Sequence, residues 1–430
     1  MERWISVAGL FVMILLAWLM SSDRRHVHRG LVVRGVLLQF LLGGVILWTP
    51  PGLERPVGYW LSDLITYLFA QLQTFVQAGS GFLFRLPVEV QSEQRSLQLL
   101  SSFAFGVLPT IIVFSSLMSL FYYLGVMQWI IRGMAYVMQR VLGVSGAESL
   151  AAAANVFVGH TEAPLVVRPY IQNMTASELN ALMVGGFATL SGGLLAAYAE
   201  MNIDAGHLVT ASVISAPAAL VIAKVLKPER DTPETLGTIQ VEVEKREVNA
   251  IDAVANGASE GLKLALNVAA MLLAFLAIIA MADAFVGWLG GIFGFVDEQG
   301  NPLWSFAAAL GYLFAPLAWV MGIEAKDCLL AGQLLGIKTV ANEFVAFQQM
   351  GQWIDPAVEG PALTPRTQLV MTYALSGFAN LGAIGIQIGG IGALAPQRRG
   401  DLARFGLRAM LGGALACCMT ACVAGALTSR

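Results

Sequence analysis

Two glutamates stand alone in otherwise apolar stretches. Glu162 lies in Gly159-His160-Thr161-Glu162-Ala163-Pro164, and Glu343 lies in Asn342-Glu343-Phe344-Val345-Ala346-Phe347. In lipid a carboxylate costs a few kcal/mol or more, so each must meet water, a ligand or a partner. An ionised carboxylate accepts several hydrogen bonds and can hold hydroxyl groups or a cation. Two of them can also form an acid/base pair. No nucleophile, metal-ligand cluster or H-E-x-x-H spacing accompanies them, which makes an intramembrane enzyme a distant reading. Asn155, Thr161, Thr189, Ser191 and Asn380 add neutral polar groups in the same neighbourhoods. Their oxygens can replace the hydration shell of Na⁺ at a broken helix. His160, two residues before Glu162, can donate a hydrogen bond or carry a proton.

These residues sit in a chain of 430 residues that is 57% apolar and only 12% charged. Soluble domains carry about twice that charge. Such a composition excludes a soluble globular domain and a disordered chain. With 25 Lys+Arg against 28 Asp+Glu, the net charge is −3, which offers no basic field for nucleic acid. Cys417, Cys418 and Cys422 fall in the last apolar segment and Cys328 stands apart, so neither zinc ligation nor a disulfide framework is expected. The class is an all-α, multi-pass membrane protein in contact with lipid.

A bilayer core about 30 Å thick needs roughly 20 apolar helical residues. Eight segments qualify, near 4–20, 31–49, 98–126, 179–201, 206–227, 262–286, 366–392 and 402–427. The first resembles a signal peptide, but its basic cluster follows the apolar run instead of preceding it, so it reads as a retained span. Residues 57–78 and 127–142 are interrupted by polar and charged groups and read as interfacial amphipathic helices. Residues 303–322 fit either a ninth span or an interfacial helix. Basic clusters at Arg24, Arg25, Arg29 and Arg34, at Arg132 and Arg140, at Lys224, Lys227 and Arg230, and at Arg398, Arg399 and Arg404 each follow an odd-numbered span. The positive-inside rule makes that face cytoplasmic and places both termini outside. Residues 228–250 are polar and read as a solvated cytoplasmic loop.

That loop separates two similar halves. Gly186-Phe187-Ala188-Thr189-Leu190 in span four matches Gly377-Phe378-Ala379-Asn380-Leu381 in span seven, and each follows a segment with its lone glutamate. Span four runs outward and span seven inward, so the copies are inverted, an arrangement found in secondary transporters with their site near midplane. The glutamate segments, within about 145–175 and 325–350, are too short and broken to span. They read as re-entrant hairpins, whose irregular backbone is tolerated only inside protein or against a cavity.

On these three motifs the chain resembles the concentrative nucleoside transporter family, from about residue 95 to its end. The resemblance implies a bacterial inner-membrane homotrimer of eight spans and two hairpins per protomer. It also implies an elevator mechanism and import of nucleosides such as uridine by Na⁺ symport, with no cofactor. A proton-coupled nucleoside or other polar-solute symporter is the alternative. Residues 1–144 would be mainly scaffold, 145–227 the first inverted repeat of the transport part and 228–250 the loop. Residues 251–324 would return to scaffold, and 325–430 would form the second repeat.

The resemblance also implies site roles. His160 and Thr161 would meet the nucleobase, Glu162 would act nearby through water, and Phe378 would border the base. Glu343 and Asn380 would hold the ribose hydroxyls. Sodium, the sole metal, would take the Asn155 side chain, the Val158 carbonyl, the Thr189 hydroxyl and the Leu190 carbonyl. The family usually has Gln at the position of His160 and Ser at that of Ala383, so base preference and one ribose contact would differ here.

Overall fold

The computed structural model describes residues 1–49, 56, 58–84, 107–237, 247–294, 304–354 and 361–428. Residues 98–106 of the expected third span and residues 238–246 of the polar loop lie outside that set. The described residues are helical throughout, without strands. Helices α1 (Glu2–Leu19), α2 (Arg29–Leu47) and α3 (Tyr59–Phe84) precede two parallel series. The first is α4 (Leu108–Tyr123), α5 (Val126–Leu142), α6 (Gly146–Ala154), α7 (Ala163–Val166), α8 (Arg168–Ile171), α9 (Ala176–Ala188), α10 (Gly192–Ala199) and α11 (Ala205–Leu226). The second is α12 (Ala250–Ile292), α13 (Phe306–Val320), α14 (Cys328–Val340), α15 (Glu343–Ile354), α16 (Pro365–Leu375), α17 (Leu381–Leu394) and α18 (Arg399–Leu427).

The two series match element by element. A hairpin, α6 to α8 or α14 to α15, is followed by a broken helix, α9–α10 or α16–α17, and then by one long helix, α11 or α18. Hydrogen bonds show that they are inverted. At one end Ser22 N–H donates to the Leu226 carbonyl at 2.9 Å, Arg34 to the Leu142 carbonyl at 3.3 Å and Arg398 to the Met174 carbonyl at 2.6 Å. The basic clusters therefore share one face. At the other end Arg3 donates to the Ala426 carbonyl at 3.0 Å, Ser6 to the Met321 carbonyl at 2.8 Å and Arg366 to the Gly425 carbonyl at 2.8 Å. Both termini share that second face. Helix α9 starts at the basic face and α16 at the opposite one.

Local sequence accounts for the hairpin and span starts. Ser145 and Glu148 form a reciprocal capping box at α6, as Thr175 and Glu178 do at α9, satisfying N–H groups that a helix start leaves free. Pro365 occupies the first turn of α16 behind the Thr364 cap, where a missing N–H does no harm. Beneath the first hairpin Lys224 is buried, pairing with Glu148 and, at 3.0 Å, with Glu229.

Several expectations change. Spans four and seven are not continuous: α9 stops at Ala188 and α16 at Leu375. Thr189 turns its hydroxyl back to the Gly185 carbonyl at 2.9 Å, and Ser376 does the same to Thr372 at 2.6 Å. The two breaks lie against each other, because a Cβ on Gly377 would come within 2.8 Å of the Phe187 carbonyl oxygen. Hydropathy sees apolar residues on both sides of such a break and cannot register it. The 303–322 segment resolves as an interfacial-length helix. At 15 residues α13 is about 22 Å long, short of the bilayer core, and packs antiparallel to α14 through Gly311, Gly332 and Gly336. The polar loop is not wholly solvated. Thr235 folds under the first hairpin, its carbonyl and hydroxyl accepting from Gly146 and Ala147 N–H at 2.9 and 3.0 Å. Span six extends from Ala250 to Ile292, 43 residues and about 65 Å of helix.

Among the described residues, six helical segments are long and apolar enough to cross a membrane, or seven if the pair α4–α5, bent by 76°, is counted as one span. The expected seventh span is occupied by two shorter helices, α16 and α17. Helix α5 leaves α4 at that 76° bend, and α3 is not among the helices long and apolar enough to cross a membrane.

Candidate functional site

Both hairpin tips and both helix breaks converge on one cavity of about 1090 Å³, at the upper end of the sizes usual for small-molecule sites. Val158, His160, Thr161 and Glu162 reach it from the first tip, and Glu343 from the start of α15. Phe378, Asn380 and Ala383 reach it from the second break. Helices α4 and α12 close the far side with Ser115, Glu260, Leu264 and Asn267. The lining continues to Gln172 and Glu247 at the basic face.

Glu343 is the best-organised acid. It is 2% exposed and opens α15, so its position depends on the tip at Ala341 and Asn342. The Asn342 side chain accepts from the Val345 N–H at 2.9 Å and caps that turn. The Tyr198 hydroxyl donates to Glu343 Oε1 at 3.0 Å, and the Asn380 Nδ2 amide lies 3.4 Å from Oε2. Asn380 is itself fixed by the Ala383 N–H, which donates to its Oδ1 at 2.8 Å. A carboxylate and an amide are thus held side by side on rigid helix starts. Together they can accept from and donate to adjacent hydroxyls. Ala383 contributes its N–H to this cap and has no side-chain hydroxyl to offer a ligand.

The first tip is arranged differently. Glu162 and Thr161 are exposed to the cavity, and Glu162 Oε2 accepts from the Gly159 N–H at 3.1 Å. One carboxylate oxygen is therefore engaged within the tip. The His160 ring packs edge-on to Phe378, centroids 4.7 Å apart, and neither ring nitrogen has a protein partner. Both nitrogens are buried and unpartnered, and the ring contact joins the two repeats directly.

Asn155, Thr189 and Leu190 are buried behind this tip, at 1%, 1% and 0% exposure. Asn155 caps the carbonyl end of α6 and Thr189 that of α9. The Phe157 carbonyl accepts from the Gly192 N–H at 3.1 Å, tying the tip to the break. The Asn155 Oδ1 atom is buried without a hydrogen-bond partner. Thr189 donates its proton to Gly185, which leaves its oxygen lone pairs free. Two helix carbonyl ends carry partial negative charge. An orphaned amide oxygen and a free hydroxyl oxygen beside them suit a small monovalent cation.

Sequence reasoning missed Tyr198, Asn342, Gln387 and Lys338. An aromatic in an apolar span reads as packing, and Tyr198 does pack on Phe344 and Phe347; nothing local marks its hydroxyl. Asn342 stands in the second glutamate motif, but nothing in that motif marks its side chain as the cap of the turn. Gln387 donates to the Met183 carbonyl at 3.3 Å across the repeat interface, which no local pattern encodes.

Comparison with known proteins agrees with this geometry. Residues 8–86 match the family described as Na⁺ dependent nucleoside transporter N-terminus, residues 104–202 match nucleoside recognition (Gate), and residues 207–425 match Na⁺ dependent nucleoside transporter C-terminus. Solute carrier family 28 member 3 of Homo sapiens is 39% identical over 100% of this chain and 60% of its own length. The Eptatretus stoutii protein of that name is 41% identical over 97% and 60%. The chain thus spans about 60% of the length of these relatives. An uncharacterized transporter of Haemophilus influenzae is 39% identical over 98% of this chain and 96% of its own. A structure of CNTnw in an inward-facing substrate-bound state matches with a TM-score of 0.88 at 39% identity, covering 99% of both chains. An outward-facing CNTnw variant matches at 0.90 and 39%, covering 99% of this chain and 98% of that one. These relatives are transporters, not enzymes, and sodium is the family's coupling ion. With its inverted hairpins, its broken helices and matches over nearly its whole length, the chain belongs to the concentrative nucleoside transporter family.

Proposed function

We propose that this protein is a nucleoside importer of the bacterial inner membrane, driven by Na⁺ symport. The observation that carries this reading is the pairing of Glu343 with Asn380 in a cavity where both repeats meet. Ribose offers adjacent hydroxyls common to all nucleosides, and a buried carboxylate–amide pair matches them. Thr161 and His160 meet the base, Glu162 acts near it through water, and Phe378 borders it. Na⁺ takes the Asn155 side chain, the Val158 and Leu190 carbonyls and the Thr189 hydroxyl. By ordering the first tip against the α9 break, the ion prepares the pocket, and cooperativity between ion and substrate follows.

The basic face is cytoplasmic in this reading, so a cavity whose lining reaches Gln172 and Glu247 corresponds to an inward-facing arrangement. Helices α4 and α12 pack chiefly on each other, which supports a fixed scaffold against which the hairpins move as an elevator. The scaffold comprises residues 1–144 and 251–324, and the moving repeats comprise 145–227 and 325–430. Three copies assemble through the scaffold. The test is radiolabelled uridine uptake into proteoliposomes under an imposed Na⁺ gradient and, separately, an H⁺ gradient. Uptake driven by Na⁺ alone is expected; uptake driven only by H⁺ would replace sodium with proton coupling, and no uptake of any nucleoside would remove the substrate assignment.

A further inference from the structure

The inverted symmetry raises a question about the second repeat. In the first, the carbonyl ends of α6 and α9 form the junction assigned above to Na⁺. The matching junction in the second repeat lies between the ends of α14 and α16. A side-chain ammonium is there. Lys338, in the last turn of α14, is 3% exposed, and its Nζ donates to the Ala374 carbonyl, in the last turn of α16, at 2.7 Å. The Cys417 thiol of α18 donates to the Ser376 carbonyl, just past the end of α16, at 3.5 Å. The ion pairs formed among the described residues do not include Lys338.

A buried ammonium without an ion-pair partner is costly in an apolar interior. Here its compensation is the negative end of two helices, including the Ala374 carbonyl to which it donates. Those are the same helix-end features found at the Asn155–Thr189 junction, with a covalently attached cation in place of a free one. The first repeat has no lysine at its junction; it has Asn155, whose amide oxygen is unpartnered.

We propose that Lys338 is a tethered cation, filling permanently in the second repeat the junction that Na⁺ fills reversibly in the first. Its consequence is functional. Only the first junction exchanges its ion, so sodium coupling is built into one hairpin, while the second hairpin holds Glu343 in place without an ion. The proposal rests on the assignment of Na⁺ to Asn155 and Thr189 and specifies which half of the molecule responds to it.

The experiment is thermal melting of the purified protein, without nucleoside, as Na⁺ or methylammonium is varied, on the wild type, Lys338→Ala and Lys338→Met. Stabilisation by a bound ion grows with its concentration. The wild type should be stabilised by Na⁺ with a Hill coefficient of about one and should not respond to methylammonium. Lys338→Ala should melt lower, regain stability with methylammonium, and respond to Na⁺ with a coefficient rising towards about two. Lys338→Met fills the volume without charge and should melt lower with no rescue. The proposal is overturned if Lys338→Met melts like the wild type, or if Lys338→Ala folds, gains nothing from methylammonium and keeps a Na⁺ coefficient of about one. If Lys338→Ala does not fold, the Met variant decides. Uridine binding to the wild type, measured in parallel, tests the nucleoside reading separately, because the melting readout needs no substrate.

Discussion

Glu343 combines burial, two side-chain partners and a place at a helix start. Replacing one carboxylate oxygen by an amide keeps shape but removes charge. Glu343→Gln should therefore fold and insert normally yet lose about 1.5–3 kcal/mol of substrate binding, roughly 10- to 150-fold in uptake efficiency. Wild-type uptake kinetics in that variant would take the ribose role away from Glu343. Tyr198→Phe removes one donor to the same carboxylate and should weaken nucleoside binding by a smaller amount, about 0.5–1.5 kcal/mol, visible as a raised KM in uridine uptake. Thr189→Ala deletes a hydroxyl at the first junction and should raise the Na⁺ concentration for half-maximal transport, with little change in KM at saturating Na⁺; an unchanged Na⁺ curve would argue against this ion site. The two glutamates were legible in the sequence because lipid makes a lone carboxylate conspicuous. Tyr198 was not, because its apolar ring conceals which end does the work.

At the scale of elements, the breaks in α9–α10 and α16–α17 matter most. The repeated Gly-Phe-Ala-Thr/Asn-Leu motif marks their place in the sequence but does not reveal that the helix stops there. Each stop is stabilised by a hydroxyl turned back onto the preceding turn and by the opposite break pressed against it. The first interaction is local; the second exists only once both repeats are folded. Close helix approach also fixes the second hairpin. A Cβ on Gly332 would collide with the Gly311 carbonyl oxygen of α13, and backbone cannot move aside as a side chain can. Gly332→Leu should lower the melting temperature by an overpacking cost of about 1–3 kcal/mol; the same substitution at Gly385, which has open space around it, serves as the control.

At the scale of the whole molecule, α12 leaves large apolar side chains uncovered, among them Leu273 at 77% and Trp288 at 60% exposure. Lipid covers part of such a surface, and in a trimer the scaffold helices cover the rest. Mass measurement of the protein released from native-like membranes should give three copies, and paired cysteines placed on α12 should cross-link between protomers. A monomeric mass with no cross-link would remove the trimer. The inversion of the two halves belongs to this scale as well. It was readable from the charge pattern, because positive clusters after alternate spans determine which way each copy runs.

The amino-acid sequence by itself determined the class, the inversion of its two halves, the two hairpins and the acids within them. Each follows from apolar length, charge placement or a polar residue where lipid forbids one, and all of these are properties of a short stretch of chain. Only the tertiary structure decided that spans four and seven are broken, that Thr235 caps the first hairpin, that α13 is shorter than the bilayer core, and that Tyr198 and Asn380 hold Glu343. Those facts join residues tens to hundreds of positions apart, and a hydrogen bond between distant segments leaves no periodicity in the sequence of either.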